Sequence, residues 1–301
     1  MLERRFCSTK GAEFSSKRFL SLQRLSVFAA ALPVGYLLIN LVPWYSVIIT
    51  GSSAMGNGAD QDIDTFKTVA LQVVTATVGA MLIALVLTVL INWLTRKSAS
   101  CSTGFIVAAA LNGLIWFGDG ISGNHLTFNS PLTMNALVAG RFYGVSNTAF
   151  AFGAVGAMIA LLAWADWLKS RYSMRISLLA VSGVGLLLVI VDAAPFLGAD
   201  FGGALALIPT LGVALVKLSG RSLRPRILVL LGLISAGLLS AVAILEWLLR
   251  GENSTHLGRF GEQLLDGTFL ATIGKKLKAL VGPFIDANGQ VGLMIVKIIV
   301  A

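Results

Sequence analysis

The sequence predicts an all-α polytopic membrane protein, a bundle of about seven transmembrane helices with an additional amphipathic helix at the outer membrane surface. Two observations support this fold class. Hydrophobic residues make up 56% of the 301 residues and charged residues only 12%, whereas a water-soluble domain carries about 25% charged residues. Long apolar runs also recur along the chain, and a helix needs about 20 apolar residues to cross the bilayer core.

Seven apolar segments are candidates for these spans, and two of them are shorter than the usual length. The short segments are 104–118 and 203–216, and the second contains Pro209. We expect both to be tilted against partner helices, or one of them to be re-entrant. In either case neighbours should shield segment 203–216 from lipid, because Pro is tolerated in a membrane where neighbours re-satisfy the backbone. The predicted spans are 25–44, 69–94, 104–118, 148–165, 176–194, 203–216 and 227–249.

The distribution of basic residues predicts which side each link lies on. The N-terminal tail and the links after spans two, four and six carry most of the Lys and Arg residues, including Arg96, Arg171 and Arg224. The opposing links contain only Lys67 and Arg141 before the C-terminal tail. The positive-inside rule therefore places the N-terminus in the cytoplasm and the protein in the cell membrane as a multi-pass protein. The net charge of +9 is then explained by anchoring near anionic headgroups, and nucleic acid is not an expected partner.

This topology divides the chain into three regions: a basic cytoplasmic tail at 1–24, a transmembrane bundle at 25–249, and an outer region at 250–301. The first apolar run is interpreted as a retained span and not as a cleaved signal. In the outer region, Leu257, Phe260 and Leu264 share one helical face, and a second apolar face begins at Phe269 with lysines beside it. Two amphipathic pieces separated near Gly267 are expected there, lying in the membrane interface, followed by a short apolar stretch at the C-terminus.

Cysteine and histidine usage predicts no metal site and no cofactor. Cys7 and Cys101 are both assigned to the cytoplasmic side, where thiols stay reduced. The chain has no C-x-x-C pair, and its two histidines, His125 and His256, lie far apart in sequence. Neither a disulfide framework nor a structural zinc site is therefore expected.

The links assigned to the outer side contain most of the unusual polar residues. Ionisable groups at membrane depth are costly and usually face a protein interior or a watery cavity. A helix beginning near Gly202 would offer N–H groups to an anion, and arginine suits phosphate through bidentate hydrogen bonds. We therefore predict an outer site for a phosphate-bearing ligand, in which Asp200 pairs with one arginine and leaves the other free. The candidate ligand-binding residues are Arg141, Tyr143, Asn147, Asp192, Asp200, His256 and Arg259.

Each of these residues also has a simpler interpretation. Arg141 can be a snorkelling interface residue, and Asp200 can be an N-cap. Asp192, near a helix end, can reach the lipid headgroups. His256 and Arg259 can flank an interfacial helix without a further role.

Four sequence runs give the chain a family resemblance: Asn40-Leu41-Val42-Pro43-Trp44-Tyr45, Ala139-Gly140-Arg141-Phe142-Tyr143-Gly144 with Asn147, Gly198-Ala199-Asp200-Phe201-Gly202-Gly203, and His256-Leu257-Gly258-Arg259-Phe260. In that order they resemble the multi-pass region of an uncharacterised family of membrane proteins from Gram-positive, chiefly actinobacterial, bacteria. The resemblance covers most of residues 25–280. In longer members a similar region follows an extracytoplasmic domain that looks like alkaline phosphatase, and further spans follow it. This sequence has neither, so it is a short member or a fragment, and the resemblance transfers no catalytic residue.

Three functions are compatible with these features, and none of them is fixed by a motif. The leading hypothesis is a non-catalytic module that binds a phosphate-bearing lipid, or an envelope protein such as an extracytoplasmic phosphatase-like protein, at its outer face. The first alternative is a transporter or lipid flippase, favoured by short broken helices near polar residues but lacking an internal repeat. The second is a polyprenyl-phosphate-dependent envelope enzyme, supported only by Asp60, Asp62 and Asp64 in the first outer link. Because no Walker, G-x-S-x-G or H-E-x-x-H motif occurs, an enzyme is the less favoured class.

Overall fold

The computed structural model describes residues 13–42, 59–98, 100, 102–127, 130, 144–194, 197–198 and 200–285. These residues form nine α-helices and no strand. The helices are α1 (Glu13–Leu38), α2 (Ala59–Thr95), α3 (Thr103–Ser122), α4 (Asn147–Arg171), α5 (Met174–Ala193), α6 (Phe201–Leu218), α7 (Pro225–Arg250), α8 (His256–Leu265) and α9 (Phe269–Ile285). Short 3-10 turns, Ile39–Leu41 and Gly251–Asn253, follow α1 and α7.

Helices α1 to α7 are each long and apolar enough to cross a membrane, which confirms the predicted all-α polytopic fold. The two segments predicted to be short belong to longer helices. Helix α3 has 20 residues and α6 has 18, lengths of about 30 and 27 Å at 1.5 Å per residue. The prediction ended too early because hydropathy falls at polar residues such as Asp119, whereas backbone hydrogen bonding continues through them.

Helix α6 is only partly shielded by its neighbours. Leu207 is buried and Leu211 packs against Gly185 of α5, but Leu205 is 41% exposed. The predicted shielding of this segment therefore holds at Leu207 and Leu211 but not at Leu205. The reason is that the contacts of α6 with α4, with α5 and, at Gly212, with Leu231 of α7 leave Leu205 uncovered.

The chain divides into two compact units, Met1–Gly232 and Leu233–Ala301. In the first unit, α1 packs on α2 and α3, α3 packs on α4, and α4 to α6 pack on one another. Gly35 of α1 lies against the backbone of Ala80 in α2, and a Cβ at Gly113 of α3 would lie 2.6 Å from the Cα of Ala157 in α4. These contacts follow the rule for membranes, where small residues allow helix backbones to approach closely.

In the second unit, α8 packs against the end of α7. Gly258 lies against Ser254 and near the backbone of Trp247, and Gly261 lies against Ala243. Helix α8 therefore runs back along the last turns of α7. The Glu246 carboxylate accepts hydrogen bonds from Thr255, at 3.1 Å from its N and 3.0 Å from its Oγ1.

The same carboxylate lies 3.8 Å from the Arg250 guanidinium. This pair has the i, i+4 spacing that lets side chains on one helix face meet. Glu246 thus ties the last turn of α7 to the start of α8, and this local role accounts for both of its contacts.

Candidate functional site

One end of the first unit is closed by hydrogen bonds between loops. Helices α1, α3 and α5 end here and α4 and α6 begin here, and we call this the polar end. Because these elements are far apart in sequence, the bonds fix their relative positions. The bonds run from Asn40 Nδ2 to Leu126 O (2.9 Å), from Ser130 Oγ to Tyr36 O (2.9 Å), from Asn124 Nδ2 to Leu197 O (2.7 Å), and from Val145 N to Gly198 O (2.7 Å).

Asp119 organises the loop that follows α3. Its carboxylate accepts hydrogen bonds from Leu126 N (2.7 Å), Thr127 N (2.8 Å) and Thr127 Oγ1 (2.6 Å). The loop can turn back to it because Gly123 and Asn124 adopt left-handed backbone angles, with φ of 102° and 63°. The sequence analysis missed this role. Its only local signal is an acid in the last helical turn followed by Gly and Asn.

We expect Thr127→Val to destabilise the protein by about 1–3 kcal/mol, because it removes a hydrogen bond to a buried charged group. Valine has nearly the same shape, so the loss reflects the hydroxyl group. Thermal unfolding of the purified protein measures the effect. The exposed Thr148, replaced by Val, is the matched control and should leave the melting temperature unchanged. Equal melting temperatures for the two variants would mean that the Asp119 contacts do not stabilise the loop.

Asp192 and Asp200 form a buried acid pair at the polar end. Their residues are 0% and 1% exposed, and both carboxylates point at the same glycine. A Cβ on Gly203 would lie 2.5 Å from Asp192 Oδ2 and 2.7 Å from Asp200 Oδ2. The two oxygens are therefore no more than about 5 Å apart, since both lie within 2.7 Å of one point. Each residue makes a further polar or electrostatic interaction.

The backbone between α5 and α6 produces this convergence. After α5 the chain turns back on its last turn, with Gly198 N donating to Val191 O (2.8 Å) and Asp200 N donating to Asp192 O (2.9 Å). A Cβ on Gly198 would lie 2.5 Å from Asp192 O, so a side chain does not fit there. The reversal brings two acids that are eight positions apart in sequence to the same place.

The structure contradicts the simpler interpretations of both acids. Asp200 occupies the N-cap position of α6, but its side chain makes no capping hydrogen bond. Asp192 is fully buried and therefore does not reach lipid headgroups.

Aromatic rings lie beside the acid pair. Phe150 Cδ2 is 2.7 Å from the same Cβ position on Gly203, and its ring packs edge-on against Trp116 at 6.0 Å between centroids. Trp116 is itself buried. An aromatic ring therefore borders the acid pair, and burial makes an ionised carboxylate costly unless a partner compensates it.

The structure brings together two of the seven predicted site residues, Asp192 and Asp200. Arg141 and Tyr143 lie outside the described residues. Asn147 and His256 begin α4 and α8, but their side chains also lie outside the description. Arg259 is exposed in the second unit. A common pocket for Arg141, Asp200 and Arg259 therefore stays a prediction.

Within the described residues no group of three His, Cys, Asp or Glu side chains is arranged to hold a metal ion. No protein-family model matches the chain, and no curated protein or solved structure is significantly similar to it. The family resemblance of the four sequence runs accordingly stays a prediction.

Proposed function

We propose that this chain is a cell-membrane protein of the envelope that binds a phosphate-bearing lipid at its polar end, which faces outward, without catalysing a reaction. The observation that supports the proposal is the acid pair. Two fully buried carboxylates on one glycine are costly unless a positive charge or a proton compensates them, because burial removes the water that would otherwise solvate them.

Arg141 is the residue we assign to this role. Arg141 lies three positions before Gly144 and four before Val145. The N–H of Val145 donates to the carbonyl oxygen of Gly198, and Gly198 lies between Asp192 and Asp200 in the sequence. Three residues span at most about 11 Å of chain, so the assignment of Arg141 is compatible with the position of Gly144. A guanidinium has five N–H donors. Carboxylates that accept hydrogen bonds from some of these donors orient the guanidinium and leave the remaining N–H groups for the oxygens of a phosphate.

A transporter or flippase is the second candidate, and the charge of the site favours it. The atoms nearest the Cβ position of Gly203 belong to two carboxylates and a phenyl ring, and two carboxylates can carry more negative charge than one guanidinium neutralises. Buried carboxylates at the ends of membrane helices are typical of cation pathways in transporters. In that case the partner of the pair would be a transported cation or a proton.

Lipid analysis separates the two candidates. The protein is purified in mild detergent, and bound lipid is identified by mass spectrometry. We expect a phosphate-bearing lipid to be enriched over its share of the membrane, to be lost from Arg141→Ala, and to be retained by Lys97→Ala, which changes an exposed basic residue outside the polar end. Equal lipid content in folded Arg141→Ala and the wild type would overturn the proposal. Cation-dependent uptake into proteoliposomes would then favour the transporter.

The proposed topology makes a separate prediction. In a background with Cys7 and Cys101 replaced by Ser, a membrane-impermeant maleimide should label His125→Cys from outside and Ser222→Cys only after permeabilisation. Both positions are exposed, whereas Ser130, in the same link as His125, is buried and unsuitable. Labelling of Ser222→Cys in intact cells, with none at His125→Cys, would place the N-terminus outside.

A further inference from the structure

Helix α9 has an exposed apolar face with lysines beside it. Leu270, Ile273 and Leu277 are spaced to lie on one side of the helix, and they are 65%, 39% and 55% exposed. Lys275 and Lys278 are also exposed and lie at other angles around the axis. The helix thus presents hydrocarbon and positive charge to its surroundings at the same time.

The position of the lysines argues against a transmembrane orientation of α9. The helix has 17 residues, about 26 Å at 1.5 Å per residue, which is less than the thickness of a bilayer core. It contains three lysines and no acid, and the lysines occupy its middle, at 275, 276 and 278. A transmembrane orientation would place them at the bilayer centre, where charge is most costly. An orientation parallel to the surface puts the leucines in the acyl chains and the lysines among the headgroups.

We propose that α9 lies flat on the membrane and that its lysines bind anionic phospholipid headgroups, forming a second lipid contact that is independent of the acid pair. Charge complementarity identifies the occupant: hydrocarbon alone would satisfy the leucines, but the exposed Lys275 and Lys278 favour a negatively charged surface. A connection to α8 supports the arrangement, since Thr272 Oγ1 donates to Gln263 Oε1 at 2.7 Å. The leaflet follows from the topology proposed above, whereas the lipid contact itself does not depend on it.

Spin labelling of the full chain tests the proposal. In the background without Cys7 and Cys101, Leu277→Cys or Lys275→Cys carries a nitroxide, and the protein is reconstituted in vesicles of phosphatidylcholine with or without phosphatidylglycerol. The ratio of accessibility to oxygen over a water-soluble nickel chelate reports depth. With phosphatidylglycerol, we expect this ratio to be about tenfold higher at 277 than at 275, as for an interfacial helix.

Separate measurements test how much the lysine charges contribute to the membrane binding of α9. About 1 M salt, which shortens the screening length to about 3 Å, should reduce the immersion of position 277 in phosphatidylglycerol vesicles. Replacing Lys275, Lys276 and Lys278 by Gln should have the same effect. Replacing Lys169, Arg171 and Arg175 by Gln, three basic residues at the end of α4 and the start of α5, should not.

Three results would overturn the proposal. One is equal nickel access at 277 and 275 in both kinds of vesicle. Another is that neither the presence of phosphatidylglycerol nor the replacement of the lysines changes the membrane depth of position 277. The helix would then be held by hydrocarbon contacts alone. The third is efficient disulfide-linked dimerisation of unlabelled Leu277→Cys, which would assign the apolar face to a second copy of the chain.

Discussion

Gly203→Ala is expected to destabilise the protein by about 2–3 kcal/mol, near the upper end of the usual cost of overpacking. The added methyl group would lie 2.5 Å from Asp192 Oδ2 and 2.7 Å from both Asp200 Oδ2 and Phe150 Cδ2. None of these atoms has free space to move into, because Asp192 and Asp200 are fully buried and Phe150 packs on Trp116. Heating followed by fluorescence-detected size exclusion measures the loss of folded protein.

The adjacent glycine is a matched control for this variant. Gly202 is exposed, and a Cβ there would come no closer than 3.5 Å to its nearest neighbour, Asp200 Oδ1. Gly202→Ala makes the same chemical change in the same turn of α6, and Ala is the better helix former. Its stability should match or slightly exceed that of the wild type. If the two variants unfold at the same temperature, the carboxylates do not lie against Gly203.

The second large effect is expected for the acids themselves. Replacing both acids, Asp192→Asn with Asp200→Asn, should destabilise the protein by about 3–5 kcal/mol, the usual cost of leaving a buried charge without its partner. In each single variant the remaining carboxylate still compensates the proposed Arg141 guanidinium, so each single change should cost much less. The exposed Asp166 near the end of α4, replaced by Asn, is the control and should have no effect beyond about 0.5 kcal/mol.

The double variant shows whether the two acids act together. Residues that share one partner give strongly non-additive effects, whereas distant residues add within about 0.5 kcal/mol. We expect the double variant to cost more than the sum of the two single variants, because only the double variant leaves the guanidinium without an acid. Simple additivity would show that each acid has its own partner, and the shared-site proposal would then fail.

These expectations depend on distances that the sequence does not contain. Asp192 and Asp200 were identified as unusual because carboxylates near the ends of apolar runs are costly, and that part of the prediction needed only residue type and hydropathy. Their convergence depends on the reversal at Gly198 and on the close approach of Gly203, both of which are properties of the folded backbone.

Asp119 has a structural role that its residue type alone does not indicate. No role was predicted for Asp119 from the sequence, yet its carboxylate accepts three hydrogen bonds from the following loop. A carboxylate that binds a ligand and one that binds its own backbone look alike in a single sequence. Only the positions of the Leu126 and Thr127 donors distinguish them.

The sequence by itself determined the class of the protein and the number of its spans, since both follow from how many consecutive residues are apolar. It also determined the predicted direction of those spans, through the alternation of basic links. The tertiary structure decided where the helices end, which faces of α6 are covered, and which acids meet. The physical reason is that hydropathy is local to a segment, whereas the environment of Asp192 is set by Gly203 and Phe150, which reach it only when α4, α5 and α6 pack.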